Sequence, residues 1–296
     1  MYPFIDLYFI KIPTFGLMVA SAFVVCHYLL KKEFKSRNLK EQIIDDIIFY
    51  AALSAIIGSK IYFVIEKSFS DSGSFFSNIK NNIYCSECDG FTEHLQSFGS
   101  GLTFNGGLIC ALIFIGIYIY RNKLDFIFLA DIITPYILLG HGIGRIGCFL
   151  VGDDYGIPSK LPWAVSFENG APPTTVDIFT SKYSFLGYDK TELSQYLIDG
   201  SDTVISVHPT QFYEMFLYFI SFIFIVKYLK KYSIKGLSLS FYLILGGFSR
   251  FLVEFLRTNE RYLLNFSSAQ FISIFMIFSG FLILIYIKKK LQYGKN

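Results

Sequence analysis

The chain has 296 residues, of which 53% are hydrophobic, 19% aromatic and only 17% charged, with a net charge of +3. So much apolar surface exceeds what one soluble core could hide, which excludes a water-soluble enzyme and requires that much of the surface face lipid. No internal repeat, low-complexity tract or nucleic-acid signature is present, so no nucleic-acid partner is expected.

Taken in chain order, the apolar runs predict about seven transmembrane helices, each needing about 20 residues. Runs 12–30, 102–120 and 263–287 contain no charge. Runs 46–65, 126–145, 209–226 and 236–255 carry a few ionisable groups, among them Lys60, Asp131, Glu214, Arg250 and Glu254. Lys and Arg concentrate in segments 31–40, 121–123, 227–235 and 288–295, and such an excess marks the cytoplasmic side. The expected topology has the N-terminus outside and the C-terminus in the cytoplasm. The first run lacks a basic segment before it and is too long for a signal-peptide core, so it reads as a retained helix.

The fold class is therefore all-α membrane, one multi-pass domain over 1–296. It carries an extracytoplasmic loop at 66–101 and a small extracytoplasmic head, 156–207, inserted between helices 4 and 5. Short strands are expected at 165–167 and 204–207. In the loop, Cys85 and Cys88 form a C-x-x-C pair that reads either as a local disulfide or as metal ligands. No second Cys or His pair at zinc spacing accompanies it, and no metal is expected. Cys26 and Cys110 lie in apolar runs and read as packing residues.

Ionisable groups in a bilayer are costly, roughly 2.5–3.5 kcal/mol each at a helix centre on insertion scales, so they point to function. Three clusters fall at the outer level. The first, Gly140-His141-Gly142-Ile143-Gly144-Arg145-Ile146-Gly147-Cys148, continues to Gly152-Asp153-Asp154-Tyr155-Gly156; a helix would put His141 and Arg145 on one face. Its glycines allow close approach of backbone. The alternative is a tight helix crossing with Arg145 snorkelling to the interface. The second, His208-Pro209-Thr210-Gln211-Phe212-Tyr213-Glu214, reads as a helix start with Gln211 and Glu214 on one face. In the third, Arg250, Glu254 and Arg257 form one stripe, read either as an internal Arg250–Glu254 ion pair or as part of a site. Arginines converging from several helices without a comparable surplus of nearby acids call for an anion, and the abundant membrane anion is a phospholipid phosphate.

These residues resemble the bacterial prolipoprotein diacylglyceryl transferases, and the resemblance covers nearly the whole chain. Its most specific part is Gly144-Arg145-Ile146-Gly147-Cys148-Phe149 with Gly152 and Gly156. Supporting it are the 208–214 segment, the Arg250 to Glu254 spacing, Phe104-Asn105-Gly106-Gly107-Leu108-Ile109, and Gly58-Ser59-Lys60. The resemblance implies a seven-helix enzyme of the bacterial cytoplasmic (inner) membrane. Its substrates would be phosphatidylglycerol and prolipoprotein signal peptides bearing a lipobox cysteine, and it would use no cofactor. The diacylglyceryl group would move to the cysteine thiol and glycerol 1-phosphate would leave.

On that reading Arg145 and Arg250 would hold the phosphate, while Asp153, Glu254 and Arg257 would orient the glycerol head or the arginines. Asn105, Gly156, Gln211 and Glu214 complete the expected substrate-binding set. The chain departs from the family pattern at Asn105, where a histidine is usual, at Cys148, where an asparagine is usual, and at Asp153 and Phe15. Asn105 cannot act as a base at neutral pH. His141, one turn from Arg145, is therefore the expected proton acceptor; a water or a phosphate oxygen is the alternative. A catalytically inactive phospholipid-binding relative is the second functional reading. A transporter or receptor fits least, since no polar path crosses the inner halves of the helices.

Overall fold

A computed structural model describes residues 2–7, 10–70, 103–232 and 234–293. Cys85, Cys88 and nearly all of the 66–101 loop lie outside the described residues. The chain forms two compact units, Met1–Leu30 with Ile127–Asn296, and Lys31–Phe126.

The first unit begins with an antiparallel hairpin, β1 (Phe4–Leu7) and β2 (Ile10–Pro13), with Phe4 opposite Pro13. The hairpin runs straight into α1 (Thr14–Ser36). It was not expected in an all-α chain; the Thr14 N–H and hydroxyl both donate to the Pro3 carbonyl, at 3.0 and 3.1 Å, closing it against the helix start.

In the second unit α2 (Gln42–Ser70) packs against α3 (Phe104–Arg121). The packing explains two of the sequence motifs: a Cβ added at Gly58 would lie 2.5 Å from the Gly106 carbonyl oxygen, and one at Gly106 would clash with that of Gly58 in the same way. Further along, Tyr118 Oη donates to Asp46 Oδ2 at 2.9 Å, which fixes an antiparallel crossing. Small residues at such a crossing let helix backbones meet where no hydrophobic drive separates protein from lipid.

In the first unit α4 (Phe126–Val151) is the central helix. It runs six residues beyond the predicted span, carrying the Gly140–Gly147 part of the glycine-rich motif in helical form. Its glycines serve different neighbours. Gly140 approaches Cys26 and Gly147 approaches Phe15 and Met18 of α1, while Gly142 lies under the Phe219 ring. The Cys26 thiol donates to the Tyr136 carbonyl at 3.1 Å, in keeping with a packing role.

Three further long helices belong to this unit: α7 (Thr210–Phe224), α8 (Leu237–Glu254) and α9 (Ser268–Tyr293). The predicted start of the last run at 263 lies in a kinked 3-10 turn, Leu263–Asn265, outside the long helix. Leu264 and Asn265 have φ of 54° and 62°, and the helix begins only at a reciprocal cap. Gln270 N–H donates to Ser267 Oγ at 3.3 Å and Ser267 N–H donates to Gln270 Oε1 at 2.9 Å, a capping box. Asp131, a charge inside an apolar run, is also structural. It accepts from the Gly236 and Leu239 N–H groups, the latter at 2.8 Å, capping the start of α8.

Among the described residues, six helices are long and apolar enough to cross a membrane; the apolar part of α3, Gly106–Arg121, is shorter. Between α4 and α7 lies a small folded segment with short helices α5 (Val176–Ser181) and α6 (Lys190–Leu193). It has its own aromatic core of Tyr155, Phe167, Phe179, Leu193, Ile205 and Val207. The two predicted strands there are isolated bridges, Val165 with Val207 and Thr175 with Val204, because each pairing is broken after one residue.

The Asp131 cap gives a direct test. Asp131→Ala should lower stability by about 1–2 kcal/mol, in the range of lost N-caps, read as a lower midpoint of thermal unfolding in detergent, with Asp131→Asn recovering part of the loss.

Candidate active site

Four pieces of the first unit meet at the C-terminal end of α4. That helix supplies His141, Arg145 and Cys148 at spacings of four and three. The first turns of α7 supply Gln211 and Glu214, and the end of α8 supplies Arg250, Glu254 and, just beyond it, Arg257. The turn 152–156 closes the ring.

The turn is shaped by backbone. Gly152 ends α4 with φ of 73°, as a left-handed C-terminal residue. Asp154 also holds a positive φ of 59°, which is costly for a residue with a side chain and persists where the surroundings over-determine it. Those surroundings are visible on both sides. Tyr155 is buried, stacked on Phe167 and Phe179 in the core of the small segment. Gly156 sits where a Cβ would meet the Leu256 carbonyl oxygen at 2.5 Å and His208 and Thr210 at 2.8 Å. Only glycine lets these three segments touch, and backbone bonds Gly156 N–H to His208 O (2.9 Å) and Ile157 N–H to Leu256 O (2.8 Å) hold them.

Glu214 is fully buried at the centre. Its Oε2 lies 2.5 Å from Arg145 Nε and 3.5 Å from Arg257 Nη1, and its Oε1 lies 2.6 Å from Arg250 Nη1. Asp154 bridges Arg145 Nη1, at 2.6 Å, and Arg257 Nη2. Glu254 meets Arg250 Nη2 at 3.1 Å and accepts from Asn259 Nδ2 and Ser267 Oγ, both at 2.7 Å. Three guanidiniums thus face three carboxylates. This corrects the sequence expectation of arginines without matching acids: beside the Arg250–Glu254 pair within α8, Asp154 comes from the turn after α4 and Glu214 from α7, so the convergence of all three acids was not visible along the chain.

The charges are unequally covered. Arg257 and Glu214 are buried, while the side chains of Arg145, Arg250 and Asp154 keep 19%, 23% and 41% exposure and form the accessible lip. Burial alone would raise the Asp154 carboxyl, yet Arg257 and Arg145 hold it well below the usual carboxylate range. Asp153 behaves oppositely: burial and the neighbouring Asp154 charge raise it to about 6. Its carboxylate faces the Cys148 thiol. Among the described residues, the buried acceptors Glu214 Oε2 and Glu254 Oε2 are met only by ion-pair contacts, whereas Asp153 Oδ1 and Gln211 Oε1 have no hydrogen-bond partner and no ion-pair contact; Gln211 Nε2 donates to the Asp153 carbonyl at 2.5 Å.

Cys148, Asp153 and Asp154 could in principle ligate a cation, their ligand atoms lying within 4.8 Å of one another. Arg145 Nη1, 3.5 Å from Cys148 Sγ and 2.6 Å from Asp154, puts a positive charge where the ion would have to sit.

Over residues 3–286 the chain matches the prolipoprotein diacylglyceryl transferase family. It belongs to that family. Proteins named phosphatidylglycerol–prolipoprotein diacylglyceryl transferase from Clostridium tetani and Finegoldia magna are each 30% identical to it, over 93% and 95% of this chain and 93% and 94% of theirs. One of the same name from Leptospira interrogans is 31% identical over 83% of this chain and 72% of its own.

In this family member the fold brings together nearly all the residues singled out from sequence. Arg145, Asp153, Gly156, Gln211, Glu214, Arg250, Glu254 and Arg257 all sit at one place, Gly156 acting through its backbone. His141 is exposed, its ring 5.6 Å from that of Tyr218, within electrostatic reach of Arg145, Glu214 and Arg250. Asn105 is the second residue of α3, in the other unit. Sequence reading missed Asp154, Asn259 and Ser267. A second acid beside Asp153 and the Ser267-x-x-Gln270 box were the available signals.

A buried carboxylate held by three arginines is costly to break. Removing one partner of such a group leaves unpaired buried charge, typically about 3–5 kcal/mol. Glu214→Ala is expected to lose that order of stability, read by thermal unfolding, and Glu214→Gln less because it retains the packing and an acceptor.

Proposed function

We propose that this protein transfers the diacylglyceryl group of phosphatidylglycerol to the thiol of a lipobox cysteine in a prolipoprotein, releasing glycerol 1-phosphate. The observation that carries the reading is the half-open pair Arg145 and Arg250, held in place from below by buried Glu214, in a chain of this family. Guanidiniums fixed by a buried carboxylate cost no reorganisation when charge develops on a leaving phosphate. Asp154 is the exposed anion of the lip, so it is the one that yields its place on Arg145 when a phosphate arrives. The glycerol head of phosphatidylglycerol carries two hydroxyl donors, and Asp153 Oδ1 and Gln211 Oε1 are two buried acceptors beside the arginines.

In the transfer, the thiolate sulfur attacks the diacylglyceryl carbon next to the phosphate. A C–S bond forms, the C–O bond breaks, and the electron pair leaves with glycerol 1-phosphate. Arg145 and Arg250 take up the developing charge, while Glu254 and Arg257 orient them. His141 accepts the thiol proton, which turns a weak nucleophile into a strong one. No cofactor enters this reaction. The arrangement fits seven spans with the N-terminus outside, the C-terminus in the cytoplasm, and the 156–207 segment as an extracytoplasmic head. The site then opens to the outer leaflet of the bacterial cytoplasmic membrane, where lipobox cysteines emerge.

The test incubates purified protein with phosphatidylglycerol and a lipobox peptide, following peptide mass and released glycerol phosphate. The wild type should add one diacylglyceryl unit to the cysteine. Arg145→Ala should abolish transfer, and His141→Gln should abolish it while phospholipid binding persists. A fully active His141→Gln would remove that residue from the mechanism; wild-type binding without transfer would leave a phospholipid-binding relative.

The Asp154 contact gives a separate expectation. Asp154→Asn removes the anion that competes for Arg145, so KM for phosphatidylglycerol should fall by about tenfold or more at a charge-assisted contact worth about 1.5–3 kcal/mol, measured in the same assay.

A further inference from the structure

The small segment between α4 and α7 carries a feature that the reaction does not use. Residues 161–164 form a tight turn, closed by Ala164 N–H to Leu161 O at 2.9 Å, with Pro162 and Trp163 at its tip. Both ends of the turn are pinned. On one side Ser159 exchanges bonds with Ser206: Ser159 N–H donates to Ser206 O at 3.0 Å and Ser206 Oγ donates to Ser159 O at 2.7 Å. On the other side Val165 and Val207 exchange backbone bonds at 3.0 and 2.8 Å. The turn is a rigid mount, so whatever it presents is ordered in advance and loses little entropy on contact.

It presents apolar surface. Trp163, the only tryptophan of the chain, is 57% exposed and Leu161 is 39% exposed. The polar end of the indole is already satisfied: Trp163 Nε1 donates to Tyr213 Oη at 2.8 Å. Tyr213 also lies 3.3 Å from His208 Nδ1. That indole bond sets the depth of the turn, because Tyr213 stands in the first turn of α7, a helix long and apolar enough to span the membrane. Directly along the same helix run Phe212, Phe216, Ile220 and Ile223, each between 41% and 63% exposed. The apolar tip of the turn is thus continuous with the lipid-facing stripe of a spanning helix, at the level where that stripe ends.

We infer that the Leu161–Trp163 turn is a membrane-interface foot, inserted in the phospholipid headgroup region of the leaflet on the active-site side. An amphipathic ring with its N–H turned to a hydroxyl at a helix start is what such an interface favours. The foot ties the 156–207 segment, and through Tyr155 the turn that carries Asp153 and Asp154, to a fixed height above the bilayer. This inference rests on α7 crossing the membrane and is independent of the proposed reaction.

Because Trp163 is the only tryptophan, intrinsic fluorescence reads it alone. Full-length protein in vesicles of phosphatidylglycerol and phosphatidylcholine, excited where tyrosine does not absorb, is titrated with phosphatidylcholine bearing a doxyl group near the headgroup, with the same lipid labelled at the chain end, and with aqueous iodide. The foot predicts quenching by the shallow label about twofold or more above that by the deep label or iodide, as for a ring at headgroup level. Dominant iodide quenching with no lipid quenching would overturn it. So would protection that arises only when a lipobox peptide is added, which would assign the surface to the acceptor chain. Tyr213→Phe, which keeps the ring but removes the hydroxyl, should level the depth profile if Tyr213 sets the height; an unchanged profile would leave the foot without its tether and overturn that part of the inference.

Discussion

The arrangement of this site depends on one buried carboxylate. Glu214 is wholly enclosed and within ion-pair distance of Arg145, Arg250 and Arg257, which come from two helices and the segment after one of them. Buried charge is tolerated only when its partners are close and well placed. The same requirement that keeps Glu214 ionised therefore fixes the mutual positions of α4, α7 and α8 at their site ends. Arg145 and Arg250 face the buried carboxylate on one side and stay partly exposed on the other.

The other organising constraint is steric. The glycines of the signature do not share one purpose. Gly140 and Gly147 admit α1, Gly142 admits an aromatic ring of α7, and Gly156 admits the backbone of Leu256 and the side chains of His208 and Thr210. The last of these positions the chemistry, since the backbone bonds around Gly156 hold the turn that offers Asp153 and Asp154. Asp154 keeps a left-handed backbone between Gly152 and the buried ring of Tyr155, so the aromatic core of the small segment and the charge of the lip stabilise one another.

Several polar residues within apolar runs support the fold. Asp131 caps α8, Asp46 takes the hydroxyl of Tyr118, and Cys26 bonds a carbonyl of α4. In lipid such groups must find partners within the protein, so an intramembrane polar side chain is as often a structural fastening as a reactive group. What separates the two kinds here is convergence. The fastenings act singly, whereas the site residues meet from four segments.

The sequence by itself determined that the chain is a helical membrane protein. It also determined which family motifs the chain carries, and it singled out Arg145, Arg250, Glu214 and Glu254, which the fold brings together. Run length, charge scarcity and spacing along a helix are local properties, and local properties are written in order along the chain. Tertiary structure alone decided that each arginine meets a carboxylate, that Asp154 joins them, and that α9 starts at the Ser267 cap instead of at 263. It also decided that the 165–167 and 204–207 stretches make single bridges instead of strands. Those outcomes depend on which backbones approach closely enough to exclude solvent, and that is settled by packing between segments far apart in sequence.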